Sequence, residues 1–121
     1  MKAVKTLGLL GALWVPLLAP TWVAGASDAA AGKTKFQKSI CVQCHGLEAQ
    51  GMDGMGMDLR SAPLIKAGKA DAIEKFIANG HRGTNQYPGG MPPNGGINLS
   101  AGDRANITAW LLTLAKPPAH P

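Results

Sequence analysis

Apolar side chains recur at helical spacing in three stretches of this chain, and no stretch reads as a pair of strands. The first runs from about Ala30 to Ile40, with Phe36 and Ile40 on one face at i and i+4. The second runs from about Lys69 to Asn79, where Ile73, Phe76 and Ile77 form the apolar stripe and Gly80 is placed to end the helix. The third has the clearest start. Ser100 is an N-cap candidate, and Asp103 three residues on completes a capping-box pattern. Ile107, Trp110, Leu111 and Leu114 follow at i, i+3, i+4 and i+7, which is a core-facing stripe. Lys116-Pro117-Pro118 should stop this helix and leave the tail to Pro121 frayed.

Glycine dominates what lies between. Residues 46–60 contain Gly46, Gly51, Gly54 and Gly56, and residues 80–96 contain six more, from Gly80 to Gly96. Loops this long with no secondary structure of their own are uncommon in a small domain unless they wrap something. The expectation is an all-α domain of three to five short helices with two functional loops.

Residues 1–26 stand apart from the fold. Lys2 and Lys5 open a charged start, an apolar run extends from Leu7 to about Leu18, and Ala24-Gly25-Ala26 supplies a small-residue cleavage pattern. Pro16 and Pro20 interrupt the run, which is short for a membrane span. The stretch reads as an export leader, with an uncleaved N-terminal anchor as the rival. Removing 26 of the 121 residues leaves 95, one small domain over 27–121 with no membrane insertion after cleavage. The leader takes two of the 12 Lys and Arg, so 10 remain against 7 Asp and Glu, a net of about +3. The lysines are scattered and not interleaved with aromatics, which argues against nucleic acid. Lys33, Lys35 and Lys38 read either as a steering patch for an acidic partner or as a solvated helix face. Outside the leader the aromatics are Phe36, Phe76, Tyr87 and Trp110, thin for a domain whose size already limits its core. A buried flat cofactor would make up the deficit.

Cys41-Val42-Gln43-Cys44-His45 carries the chemistry. Cys-x-x-Cys-His is the attachment signature of a c-type haem: two thiols add across the vinyl groups, and the adjacent imidazole lies under the iron. A Cys-x-x-Cys alone also occurs in thioredoxin-like redox pairs and in zinc sites. The first expects a βαβ context, and the second needs two further ligands where only His81 and His120 are left. Both cysteines of the chain lie in this motif, so no disulfide framework is expected. Export agrees with it, because bacterial haem attachment takes place outside the cytoplasm. A six-coordinate haem needs a second axial ligand. Met91 stands in Tyr87-Pro88-Gly89-Gly90-Met91-Pro92-Pro93, where glycine permits close backbone approach and proline limits the entropy lost on ordering. His81 is the other candidate and would give a bis-His iron of lower potential. Met52, Met55 and Met57 are close in sequence to His45, and His120 lies in the tail.

In these features the chain resembles the small monohaem cytochromes c of bacteria, the class I cytochrome c family. The resemblance covers roughly residues 29–115 and rests on Cys41 to Gly46, the stretch leading to Leu59, Gly89-Gly90-Met91-Pro92, and Leu99-Ser100 through Trp110-Leu111. It implies a cytochrome c fold around one covalently attached haem c, with Cys41 and Cys44 as attachment points, His45 and Met91 as iron ligands, and Phe36 meeting Trp110 where the first and last helices cross. Two departures stand out. The family commonly has Gly-Pro-x-Leu after the haem motif, whose proline carbonyl accepts from the ligand histidine; here the match is Gly56-Met57-Asp58-Leu59, so the Met57 carbonyl takes that role. Phe36 stands five residues before Cys41 where four is usual, so the crossing should be shifted or bulged. The implied function is periplasmic transfer of single electrons between redox partners whose identity the residues do not carry, with no enzymatic turnover. Two other readings stay open: a haem domain with a labile sixth ligand, reactive toward small ligands or peroxide, and a cytochrome subunit of a larger periplasmic dehydrogenase or reductase.

Overall fold

The computed structural model describes residues 26–115, together with positions 8, 11 and 16. Among the described residues five helices succeed one another: α1 (Ala29–Gln37), α2 (Cys41–His45), α3 (Pro63–Lys66), α4 (Ala70–Asn79) and α5 (Ala101–Thr113), with 3₁₀ turns at Leu59–Ser61 and Pro93–Gly96. There is no strand among the described residues, and the chain has the all-α architecture its periodicity predicts. The expected leader lies almost wholly outside the described residues, as do Lys116-Pro117-Pro118 and the tail. No described helix is long and apolar enough to cross a membrane.

The crossing of α1 and α5 is the centre of the fold. The Asp28 carboxylate caps α1 by accepting from the Ala31 N–H at 3.1 Å, and the Asp28 N–H donates to Asn106 Oδ1 at 2.8 Å, which ties the start of α1 to α5. Gly32 sets how closely the two helices approach: a Cβ there would run into the Asn106 carbonyl and come within 2.7 Å of the Ile107 nitrogen. That approach brings Phe36 and Trp110 together, ring centroids 4.9 Å apart and tilted by 54°. Both rings are buried, and each contributes roughly 1.5–3 kcal/mol by leaving water. Ile107 and Leu111 continue the same core, which α4 joins through Ile73 and Ile77 and α3 through Ile65.

α5 begins as its sequence predicts. Ser100 Oγ accepts from the Asp103 N–H at 3.0 Å, and the Asp103 carboxylate accepts from the Ser100 N–H at 3.1 Å. It runs to Thr113, with Leu114 as its C-cap. The second expected helix, α4, also falls close to its predicted span, ending where Gly80 takes a φ of 68° and donates to the Phe76 carbonyl.

Three things differ. α1 stops at Gln37, not Ile40, because the Ser39 N–H and hydroxyl both turn back to the Phe36 carbonyl. The break at 38–40 absorbs the extra residue between Phe36 and Cys41, so the aromatic contact survives the five-residue spacing. Ile40 therefore lies beyond the end of α1 and is 42% exposed in the polypeptide alone. α3 and the two 3₁₀ turns were not predicted, since elements of three or four residues are too short to show a period.

Candidate functional site

A cavity of about 660 Å³ opens between α2, α4, α5 and the two glycine-rich segments. Cys41, Cys44, His45, Met57 and Met91 all line it. The positions named from sequence thus converge on a single space.

One wall is α2 with the segment after it. Because α2 is helical, Cys41 and Cys44 fall on the same face at i and i+3. Their thiols are free, and Ser39 Oγ lies 3.2 Å from Cys41 Sγ. His45 Nδ1 is 3.0 Å from the Met57 carbonyl oxygen. A carbonyl only accepts, so Nδ1 carries the hydrogen and Nε2 keeps its lone pair. Burial pushes the His45 pKa down, and the Met57 carbonyl opposes that shift without overcoming it. The ring is therefore held neutral, the form that binds a metal.

Met57 is held in place by the folding of its loop. The Gly51 N–H donates to the His45 carbonyl at 2.7 Å, and the Leu59 N–H to the Ala49 carbonyl at 2.9 Å. Between them Met52 and Gly56 exchange both backbone bonds, at 2.9 and 3.1 Å, as an isolated antiparallel pair. Met55 faces the cavity and Met52 does not.

The second wall comes from residues 80–92. His81 and Met91 form the other isolated antiparallel pair, with N–H to carbonyl distances of 2.7 and 2.8 Å. Residues directly opposite in such a pair project from the same face, and both line the cavity. The His81 ring also stacks on Phe76, centroids 5.4 Å apart and 13° from parallel. Gly80 makes the pair possible: its φ is +68°, and a Cβ there would collide with the Met91 carbonyl. Beyond the pair, Thr84 and Tyr87 close a turn through the Tyr87 carbonyl and the Thr84 hydroxyl, each at 3.0 Å. Met91 is accordingly anchored at its backbone by the pair with His81.

Sequence reasoning missed this arrangement. It treated His81 and Met91 as competitors in separate places, and it overlooked Arg82 and the polar turn after it as part of the cavity wall. Only tertiary pairing reveals them.

The lining suits a large apolar group. Three of its side chains, Ile40, Met55 and Phe76, are 42%, 49% and 39% exposed in the polypeptide, an unusual cost unless something covers them. The volume lies within the roughly 300–1,000 Å³ of cofactor sites. With two free thiols and a neutral imidazole in the wall, the donor set fits a covalently attached haem. It does not fit zinc, because no group of three or more His, Cys, Asp or Glu converges among the described residues. The thioredoxin-like reading also falls, since there is no βαβ unit around α2.

Of the three lysines on and after α1, Lys33 pairs with Glu48 at 3.9 Å and Lys35 with Asp103 at 3.5 Å. Such exposed pairs contribute little stability, but they blunt a purely basic patch.

The family model described as "Cytochrome C oxidase, cbb3-type, subunit III" matches residues 27–111, a span that holds both walls of the cavity. The chain is also similar to a protein named "Cytochrome c-554(547)" from Halothiobacillus neapolitanus. Identity is 33% over 97 residues, covering 74% of this chain and 99% of that protein. No solved structure gives a significant match.

Proposed function

This chain belongs to the cbb3-type subunit III family of cytochrome c domains and carries covalently attached haem c with its iron, and from that premise we propose that it is a periplasmic carrier of single electrons. The bound haem supplies one-electron chemistry, its iron passing between the ferrous and ferric states. Cys41 and Cys44 would provide the thioether attachments. His45 would bind the iron through Nε2, with the Met57 carbonyl fixing its ring and tautomer, and Met91 would supply the second ligand. The observation that supports this most is the presence of both residues in one apolar cavity, each held by backbone bonds: His45 through Met57, and Met91 through His81.

The polypeptide's task on this reading is to keep water out and ligands still. Phe36, Leu99, Ile107 and Leu111 give the cavity a dry floor, and a low dielectric there favours the less charged state of the iron. No side chain is asked to give or take a proton during transfer.

Ferric protein with Met91 on the iron should show the weak far-red sulfur-to-iron band. Met91→Ala should abolish that band and lower the reduction potential, since Met/His ligation raises it. A high-spin ferric spectrum in the parent, or an unchanged potential in the variant, would remove Met91 as the ligand. Export is tested separately: the N-terminus of protein recovered from the periplasm should begin near Ser27. Size-exclusion of native extract decides between a free shuttle and a subunit of a larger complex.

A further inference from the structure

We infer that His81 is a reserve distal ligand, able to take the sixth position of the iron when Met91 leaves it and so keep that position closed to small molecules. This rests on the reading of Met91 as the distal ligand, and it gives a role to a residue that reading leaves idle.

The geometry carries the inference. His81 and Met91 exchange both of their backbone hydrogen bonds, which puts their Cα atoms about 5.5 Å apart and their side chains on one face. Both side chains line the cavity, and besides His45 the His81 ring is the only imidazole among the described residues that does so. Although the residue is exposed in the polypeptide, its ring is not turned to solvent at random. It lies flat against Phe76, itself a cavity-lining residue, 5.4 Å between centroids. The stack holds the imidazole at the edge of the site, on the residue that pairs with Met91.

Imidazole is a strong ligand for haem iron, so the chemistry requires only that the ring can reach. The backbone pair stays in place whichever residue stands at 91, so only the His81 side chain has to move. While Met91 is in place, the shared pair fixes His81 beside it and the Phe76 stack keeps the ring occupied. When Met91 is absent, the ring has only to leave that stack and rotate toward the vacated position. His81 then gives a low-spin iron of lower potential, and the protein does not gain an open site for peroxide or other small ligands.

The test compares three holoproteins: the parent, Met91→Ala, and Met91→Ala with His81→Phe. Phenylalanine keeps a ring to stack on Phe76 but has no ligating nitrogen, so the pair separates ligation from packing. Met91→Ala is expected to lose the far-red band yet stay low-spin in the ferric state. The double variant should be high-spin. Cyanide should bind Met91→Ala at least tenfold more weakly than it binds the double variant, as expected if His81 occupies the position more than about 90% of the time. Two results would overturn the inference while leaving Met91 as ligand: a Met91→Ala protein already high-spin with the cyanide affinity of the double variant, or a double variant that stays low-spin through some other residue. If Met91→Ala retains the far-red band, the Met91 assignment itself fails and the reserve role fails with it.

Discussion

Gly32→Ala sets two effects of opposite sign against each other, and the structure says which one wins. In an unconstrained helix the change should stabilise, because alanine is favoured over glycine by about 0.8–1.0 kcal/mol. Gly32 lies inside α1, so that gain is available in principle. Against it stands the crossing with α5. The new Cβ would overlap the Asn106 carbonyl and lie 2.7 Å from the Ile107 nitrogen, where ordinary contact begins at 3.4 Å. Both of those atoms are backbone of α5, so no rotamer change relieves the overlap, and the helices must part by the order of 1 Å. Parting them loosens the Phe36–Trp110 contact, worth about 0.5–1.5 kcal/mol beyond its buried area, and adds an overpacking cost of about 1–3 kcal/mol. The expected net loss is about 1–3 kcal/mol. For a domain of this size that lowers the melting temperature by roughly 5–20 °C. Thermal and urea unfolding of the ferric holoprotein, monitored by helical circular dichroism, would measure it. Gly102→Ala is the internal control, since a Cβ there meets only the Ser100 hydroxyl at 3.7 Å, and it should be neutral or slightly stabilising. Gly32→Ala as stable as that control would refute the close crossing.

Thr108 is 1% exposed, and its hydroxyl has no partner among the described residues. Thr108→Val should therefore raise stability by about 1 kcal/mol in urea unfolding; a loss would mean that the hydroxyl is bonded after all. The Asp103 carboxyl is held below its ordinary value, first by the Ser100 N–H and further by the Ser100 hydroxyl and Lys35. Its folded pKa is lower than its unfolded one, so its contribution is full above the ordinary value near 3.8 and fades as pH falls through the folded value. Asp103→Ala should lose stability less steeply below pH 4 than the parent, and parallel acid-unfolding curves would contradict this. Replacing Cys41 and Cys44 together by alanine should give a product without covalent haem and with little folded protein, as judged by haem staining and helical circular dichroism; a stable apo-fold would show that the haem's share of the core is smaller than the cavity suggests.

What the sequence shows and what it hides divide along the range of the interactions. The start of α5 is legible because Ser100 and Asp103 satisfy each other within four residues, and the end of α4 because Gly80 acts locally. The Cys41–His45 run is legible because its spacing is itself the chemistry. The break after Gln37 was foreshadowed only by the five-residue gap from Phe36 to Cys41. Its form depends on Ser39 turning back to the Phe36 carbonyl, and serine in such a place has many alternatives. α3 begins with Pro63 in a first helical turn, a signal too short to separate from an ordinary turn. The second wall was the least legible. His81 and Met91 lie ten positions apart, and nothing in either segment alone predicts that they pair.

The two isolated pairs solve the same physical problem twice. A glycine-rich segment is entropically costly to order, and neither segment has a helix or sheet of its own around the atoms that matter. In the first, the Met52–Gly56 pair and the bonds from Gly51 and Leu59 present the Met57 carbonyl to His45. In the second, the His81–Met91 pair fixes Met91. Arg104 of α5 anchors the stretch from Asn94 to Leu99 by donating to Asn94 Oδ1 at 3.1 Å and to the Leu99 carbonyl at 2.9 Å. Each segment is thus stiff at one point and irregular elsewhere, which lets it trace the outline of a flat cofactor. An electron carrier needs that combination. Ligands that stayed free to move would relax differently in the two oxidation states, and every transfer would then wait for the protein to rearrange. If His45 and Met91 are the iron's ligands, backbone bonds on both would keep that rearrangement small without enlarging a core that is poor in aromatic residues.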